Sequence, residues 1–290
     1  SNIFNVLFIL GASAVIAPLI VAQQLVRFDV PLMIGLSAIV LLLGLDGAVG
    51  RLDGLLLFAA LIAYTAWGIL QSRREQPEIQ REYEQEFGGA AKPATAAAIA
   101  LDVVFVVAGL GLLVLGSRWF ADAAVSIARD LGLSELVIGL TIVAAGTSLP
   151  EVATSLLAAW KGERDIAVGN VVGSNLFNLM GVLGLSAAVA PDGVAVSADA
   201  LRFDLPVMIA VAVACLPVFF TGHVIARWEG GLFLAYYAAY TAYLILDATA
   251  APVQRTFATI MLGFVLPLTV VTLAVGAFRA VRQPRGRPGA

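Results

Sequence analysis

The sequence predicts an all-α, polytopic membrane protein: two inverted-topology five-helix repeats, the first lacking its first two helices, plus one extra C-terminal helix. Three observations carry that prediction. The 290 residues are 60% hydrophobic and 13% charged, with a mean hydropathy of +0.95, against roughly 25% charged in soluble domains. Nine mostly apolar runs each approach the ~20 residues that cross a bilayer. Finally, the chain repeats itself: residues 1–18 match residues 174–191 at 10 of 18 positions without a gap.

The first span, 1–20, opens on Ser1-Asn2-Ile3-Phe4-Asn5. Two asparagines in a low-dielectric setting must be hydrogen-bonded or bind something. Spans follow at 28–45, behind Arg27-Phe28-Asp29, and at 53–70, behind Arg51. Residues 71–95 hold four basic and five acidic residues, with Gly88-Gly89 before Pro93, and read as a polar tether. The second half supplies spans at 97–117, 135–160, 166–190, 203–222 and 228–247, where Ser174-Asn175-Leu176-Phe177-Asn178 repeats the opening pentad. A last span at 256–279 precedes a basic tail, 280–290. Trp67, Trp119, Trp160 and Trp228 near span ends suit interfacial anchors, and Asp29 and Asp204, each in an Arg-Phe-Asp triplet, suit helix caps or arginine partners.

The repeat extends beyond the pentad. Residues 27–34 match 202–209 at 6 of 8 positions, and 51–70 match 227–246 at 10 of 20. Three spans of residues 1–70 thus pair in order with three of the five in 96–248. About 75 counterparts of residues 98–173 are expected upstream of Ser1 or lost, which makes the first repeat N-terminally incomplete. Five spans is an odd number, so tandem repeats insert with opposite orientations, the plan of many secondary transporters whose sites lie at the midplane. Lysine and arginine counted over alternate loops divide 12 to 5, placing the linker 71–95 and the tail on the cytoplasmic side of an inner (plasma) membrane.

Chemistry concentrates in two spans. Gly146-Thr147-Ser148-Leu149-Pro150-Glu151 sits at the middle of 135–160. Pro150 donates no backbone bond and crowds the carbonyl four residues back, so carbonyls near Gly146 and Thr147 are freed. Freed carbonyls in lipid need partners, a cation among them, and Glu151 adds a full negative charge at mid-span. In 166–190, Ser174 and Asn178 lie four residues apart on one helix face, behind Gly169 and Gly173, which admit a close neighbour. Hydroxyls, amides, carbonyls and a carboxylate are hard oxygens, the ligands calcium and sodium take.

GTSLPE, followed by GNVVGSNLFN from Gly169 within a repeated five-helix unit, resembles the second alpha-repeat of the cation/calcium antiporter superfamily, prokaryotic sodium/calcium exchanger type. The resemblance covers all but the last span. It implies two broken helices meeting, each bringing a glutamate, around one calcium site flanked by sodium sites. It makes Glu151 the bridging carboxylate, and Thr147, Ser148 and the Ala144 carbonyl oxygen ligands. Ser174 and Asn178 line the same cavity, with Ser1 and Asn5 matching them from the first repeat. The chain departs from the family in two ways: the first-repeat GTSxPE is absent, and Asn178 stands where some sodium-coupled members have Asp.

The expectation is therefore a membrane antiporter exchanging calcium for sodium by alternating access. Its partners are calcium, sodium or protons as substrates and the lipid bilayer, without a cofactor. Calcium/proton exchange is the nearest alternative, because both pentad ends are asparagine and a site glutamate can carry a proton. A structural bundle or inactive fragment is the alternative of another class. The single His223 and single Cys215 supply neither a nucleophile with its base nor a metal ligand set, so an enzyme is not expected. Dispersed basic residues and a net charge of −3 give no nucleic-acid face.

Overall fold

The computed structural model describes residues 1–87, 96–132, 138–220, 222–267 and 269–270, nearly all helical. The first half forms α1 (Asn2–Ile16), α2 (Leu25–Asp46) and α3 (Arg51–Phe87). The second half forms α4 (Ala96–Asp130), α5 (139–146), α6 (Leu149–Lys161), α7 (Arg164–Val189), α8 (Ala200–Phe220), α9 (Arg227–Ala248) and α10 (Gln254–Ile260). Two short antiparallel ladders join the halves: β1 (Leu19–Ile20) pairs with β4 (Val224–Ile225), and β2 (Ala48–Val49) with β3 (Val194–Ala195).

Among the described residues six helices are long and apolar enough to cross a membrane. The most apolar stretch of α4 is 0% buried and that of α7 is 50% buried, so α4 offers its apolar surface to lipid while α7 forms the centre. The core lies where α1, α2, α7 and α8 meet, through Ile9, Leu10, Val30, Met33, Val171, Leu176 and Phe219. Burial of that kind contributes ~25 cal/mol per Å² only against water. Against lipid, close packing must hold the helices instead.

That packing is reciprocal between the matched halves. Gly11 of α1 meets Gly230 of α9, and their equivalents, Gly184 of α7 and Gly54 of α3, meet each other. A Cβ on Gly230 would lie 2.6 Å from the Gly11 carbonyl oxygen, and one on Gly54 would lie 2.6 Å from that of Gly184. The ladders repeat the exchange, since β1 and β3 are equivalents and so are β2 and β4. Helix starts are copied too. The Asp53 carboxylate accepts from Gly50 N–H at 3.0 Å, and the Glu229 carboxylate from Ala226 N–H at 2.8 Å, each satisfying a backbone donor beside the first turn. Contacts that swap partners in this way are those of a two-fold relation.

Several expectations meet a different outcome. Among the described residues neither Asp29 nor Asp204 shows an arginine partner, and the Asp29 side chain makes no cap bond. Tyr64 OH donates to Asp29 at 3.0 Å and Tyr240 OH to Asp204 at 2.8 Å, tying α2 to α3 and, in the matched segments, α8 to α9. Helix α3 runs on to Phe87, through most of the stretch read as a polar tether; residues 88–95 lie outside those described. Helix α4 extends to Asp130, well past the predicted 117, with Ala121, Ala123, Ala124 and Ala128 supplying helix propensity beyond the predicted apolar run. Of the last predicted span, residues 271–279 and the tail lie outside the described residues.

Candidate ion site

The site grows from a helix break. Ser148 leaves the helical region at φ −100°, ψ 9°, and its N–H bonds the carbonyl of Ala145, three residues back, at 3.0 Å. Pro150 falls in the first turn of α6, where a missing N–H costs least. Glu151 occupies that same turn, at the positive end of the α6 dipole, which favours a carboxylate. Gly162, at φ +91°, closes the far end of α6 in the left-handed conformation that glycine adopts freely.

Helix α7 reaches this turn with Asn170 and Ser174 and meets the first pentad with Asn175 and Asn178. Helix α1 brings the first pentad against the second. In both helices the hydrogen-bond register widens to a π turn beginning at the last pentad residue, over Asn5–Leu10 and Asn178–Leu183, a deviation that collects at functional sites.

Six of the eight predicted site residues join one hydrogen-bonded cluster. Ser174 Oγ donates to Glu151 Oε1 at 3.3 Å and accepts from Asn5 Nδ2 at 3.3 Å. Ser1 Oγ shares a hydrogen bond with Ser148 Oγ at 2.8 Å and accepts from Asn178 Nδ2 at 3.2 Å. Asn5 and Ser148 are fully buried. Two oxygens of this cluster, Glu151 Oε2 and Asn5 Oδ1, are buried and have no hydrogen-bond partner. An unmet buried acceptor costs ~1–3 kcal/mol, more when charged.

The other two candidates lie at the break. Thr147 is exposed and lines a cavity of about 340 Å³ between α4 and the break, with Ser117, Arg118 and Asp122 on one wall and Gly146 and Pro150 beside it on the other. Ala144 begins the short turn before the break, and its side chain lies outside the described residues.

Four polar side chains in the cluster were not among the predicted site residues. Asn170 Nδ2 donates to Ser155 Oγ at 2.9 Å and to the Glu151 carbonyl at 3.4 Å, bracing the turn that carries Glu151. Asn5 Nδ2 donates to Asn175 Oδ1 at 3.0 Å, and Asn178 Nδ2 to Asn2 Oδ1 at 2.9 Å. For Asn2 and Asn175 the doubled pentad was the available signal; for Asn170 and Ser155 the signal was their spacing one turn beyond Ser174 and Glu151 on the same faces.

Among the described residues no group of three or more His, Cys, Asp and Glu could hold a metal. The donors here are one carboxylate with hydroxyl and amide oxygens, suited to hard cations rather than to zinc or copper.

A family model described as sodium/calcium exchanger protein matches residues 1–70 and 101–246. CaxA of Alkalimonas amylolytica is 38% identical over 218 residues, 74% of this chain and 66% of that protein. The inner membrane protein YrbG of Escherichia coli K12 is 33% identical over 225 residues, again 74% of this chain and 66% of its relative. The chain thus spans just under two thirds of the length of these relatives. Among solved structures, the sodium-calcium exchanger NCX_Mj, soaked with zero Na⁺ and Ca²⁺, matches with a TM-score of 0.64 at 29% identity, covering 84% of this chain and 73% of that one.

Proposed function

Because the chain belongs to the sodium/calcium exchanger family, a family of transporters and not of enzymes, we propose that it exchanges calcium for sodium across a membrane by alternating access. The observation that carries this reading is the pair of partnerless buried oxygens, Glu151 Oε2 and Asn5 Oδ1, on the two side chains that Ser174 bridges. Calcium, or sodium in its place, is the ligand proposed to satisfy them. Glu151, Thr147, Ser148, the Ala144 carbonyl, Ser174, Asn178, Asn5 and Ser1 supply its oxygens.

Exchange follows from competition. Ions from one side occupy the oxygens that calcium leaves, and the protein turns the site toward the other side only when it is filled. The reciprocal contacts of the two halves support an inverted repeat, with the site on its pseudo-two-fold axis. YrbG is named an inner membrane protein, and an inner-membrane location with the 71–95 linker in the cytoplasm fits the loop charges.

Calcium/proton exchange remains the second reading, favoured by asparagine rather than aspartate at both 5 and 178, which leaves Glu151 as the carboxylate of the cluster able to carry a proton. Calcium flux into proteoliposomes containing the full-length protein separates the two. A sodium gradient at constant pH drives uptake under the first reading. Uptake driven only by a pH gradient overturns it in favour of the second.

A further inference from the structure

We propose that Asn2 and Asn175 are positioning residues that fix which end of the Asn5 and Asn178 amides faces the ion. The inference rests on the ion-site reading above and adds to it two residues that are not ligands.

An asparagine amide has two ends of nearly equal size, one a donor and one an acceptor. Shape alone does not decide which end faces a cation, yet only the oxygen can bind one. The choice must be imposed by neighbours that accept but cannot donate. Asn175 Nδ2 faces the backbone carbonyl of Asn2 at 3.4 Å and Met33 Sδ at 3.5 Å. Asn2 Nδ2 faces the backbone carbonyl of Asn175 at 3.4 Å and Met208 Sδ at 3.7 Å. Carbonyl oxygens and thioether sulfurs carry lone pairs and no hydrogen, so only a donor end fits there.

The consequence passes outward. The oxygen ends of Asn175 and Asn2 point away from these acceptors and receive Asn5 Nδ2 at 3.0 Å and Asn178 Nδ2 at 2.9 Å. Each outer nitrogen also reaches a hydroxyl, Asn5 Nδ2 that of Ser174 at 3.3 Å and Asn178 Nδ2 that of Ser1 at 3.2 Å. A hydroxyl can donate or accept, so the acceptor-only ends of Asn175 and Asn2 make the choice, and each outer oxygen takes the side opposite its nitrogen. For Asn5 that oxygen is the buried acceptor with no partner. Met33 and Met208 occupy the same place in the matched segments RFDVPLMI and RFDLPVMI, so the device is built twice, once in each half.

A double-mutant cycle on the full-length protein tests this, with calcium chloride alone as the titrant and thermal melting as the check on folding. Asn175→Ala removes the acceptor that holds Asn5, and calcium binding weakens about tenfold or more, the scale of one hydrogen bond to a charged group. In an Asn5→Asp background both outer atoms are oxygens, polarity no longer matters, and Asn175→Ala then costs no affinity. The matched pair, Asn2→Ala alone and in an Asn178→Asp background, repeats the cycle should the first set fail to fold. A merely structural role costs the same factor in both backgrounds, and that result, or no loss in Asn175→Ala, overturns the inference while leaving the ion site intact. Wild-type protein that binds no calcium overturns the site and the inference together.

Discussion

Ser174 Oγ stands between the two halves of the cluster, donating to the Glu151 carboxylate and accepting from the Asn5 amide. Both of its bonds reach groups that leave another oxygen unpaired, so removing the hydroxyl loosens carboxylate and amide together. Ser174→Ala is expected to weaken calcium binding by tenfold or more, since a hydrogen bond to a charged group contributes ~1.5–3 kcal/mol. Thr154→Ala, on the exposed side of the same helix as Glu151 with its hydroxyl turned to the Pro150 carbonyl, is expected to leave binding unchanged. Calcium titration of both variants checks the contrast. At this scale the sequence was informative about residue type and spacing: Glu151, Ser148, Ser174, Asn178, Ser1 and Asn5 are brought together. It could not separate the asparagines whose oxygens face the centre from those that hold them. Asn2 and Asn5 lie on one face of the same helix, and what distinguishes them is a pair of methionines and two carbonyls supplied by other parts of the chain.

Helices in lipid lack a hydrophobic drive toward one another, so the elements here are held by close backbone approach. Gly54 against Gly184 and Gly11 against Gly230 set the crossings of α3 with α7 and of α9 with α1. A Cβ on Gly54 would fall 2.4 Å from Ala188 N, whereas one on Gly68, farther along α3, meets nothing within 4 Å. Gly54→Ala is therefore expected to cost ~1–3 kcal/mol or more through forced displacement of α7, and Gly68→Ala to cost nothing and gain slightly from helix propensity. Thermal melting in detergent measures both; equal melting temperatures would contradict the assignment of Gly54 to a tight crossing. The repeat offsets made these helices and their order legible, and Pro150 made the break legible. The long extensions of α3 and α4 were not, because helix propensity continues through charged residues after hydropathy has fallen.

Across the whole molecule, reciprocity is the organising feature. Strand ladders, glycine crossings, tyrosine–aspartate bonds and pentad amides all occur in pairs related by the sequence repeat. Two halves joined by the same contacts with partners exchanged are well suited to rocking between two orientations of similar energy, which alternating access requires. Their meeting point concentrates acceptors around Glu151, the carboxylate of the cluster among the described residues. The most direct test of the account is sodium-driven calcium uptake by the full-length protein in proteoliposomes, comparing wild type with Glu151→Gln, which keeps the shape and removes the charge. Uptake by the wild type that is abolished in Glu151→Gln is the predicted result; uptake that persists in the variant contradicts the placement of the ion at this site.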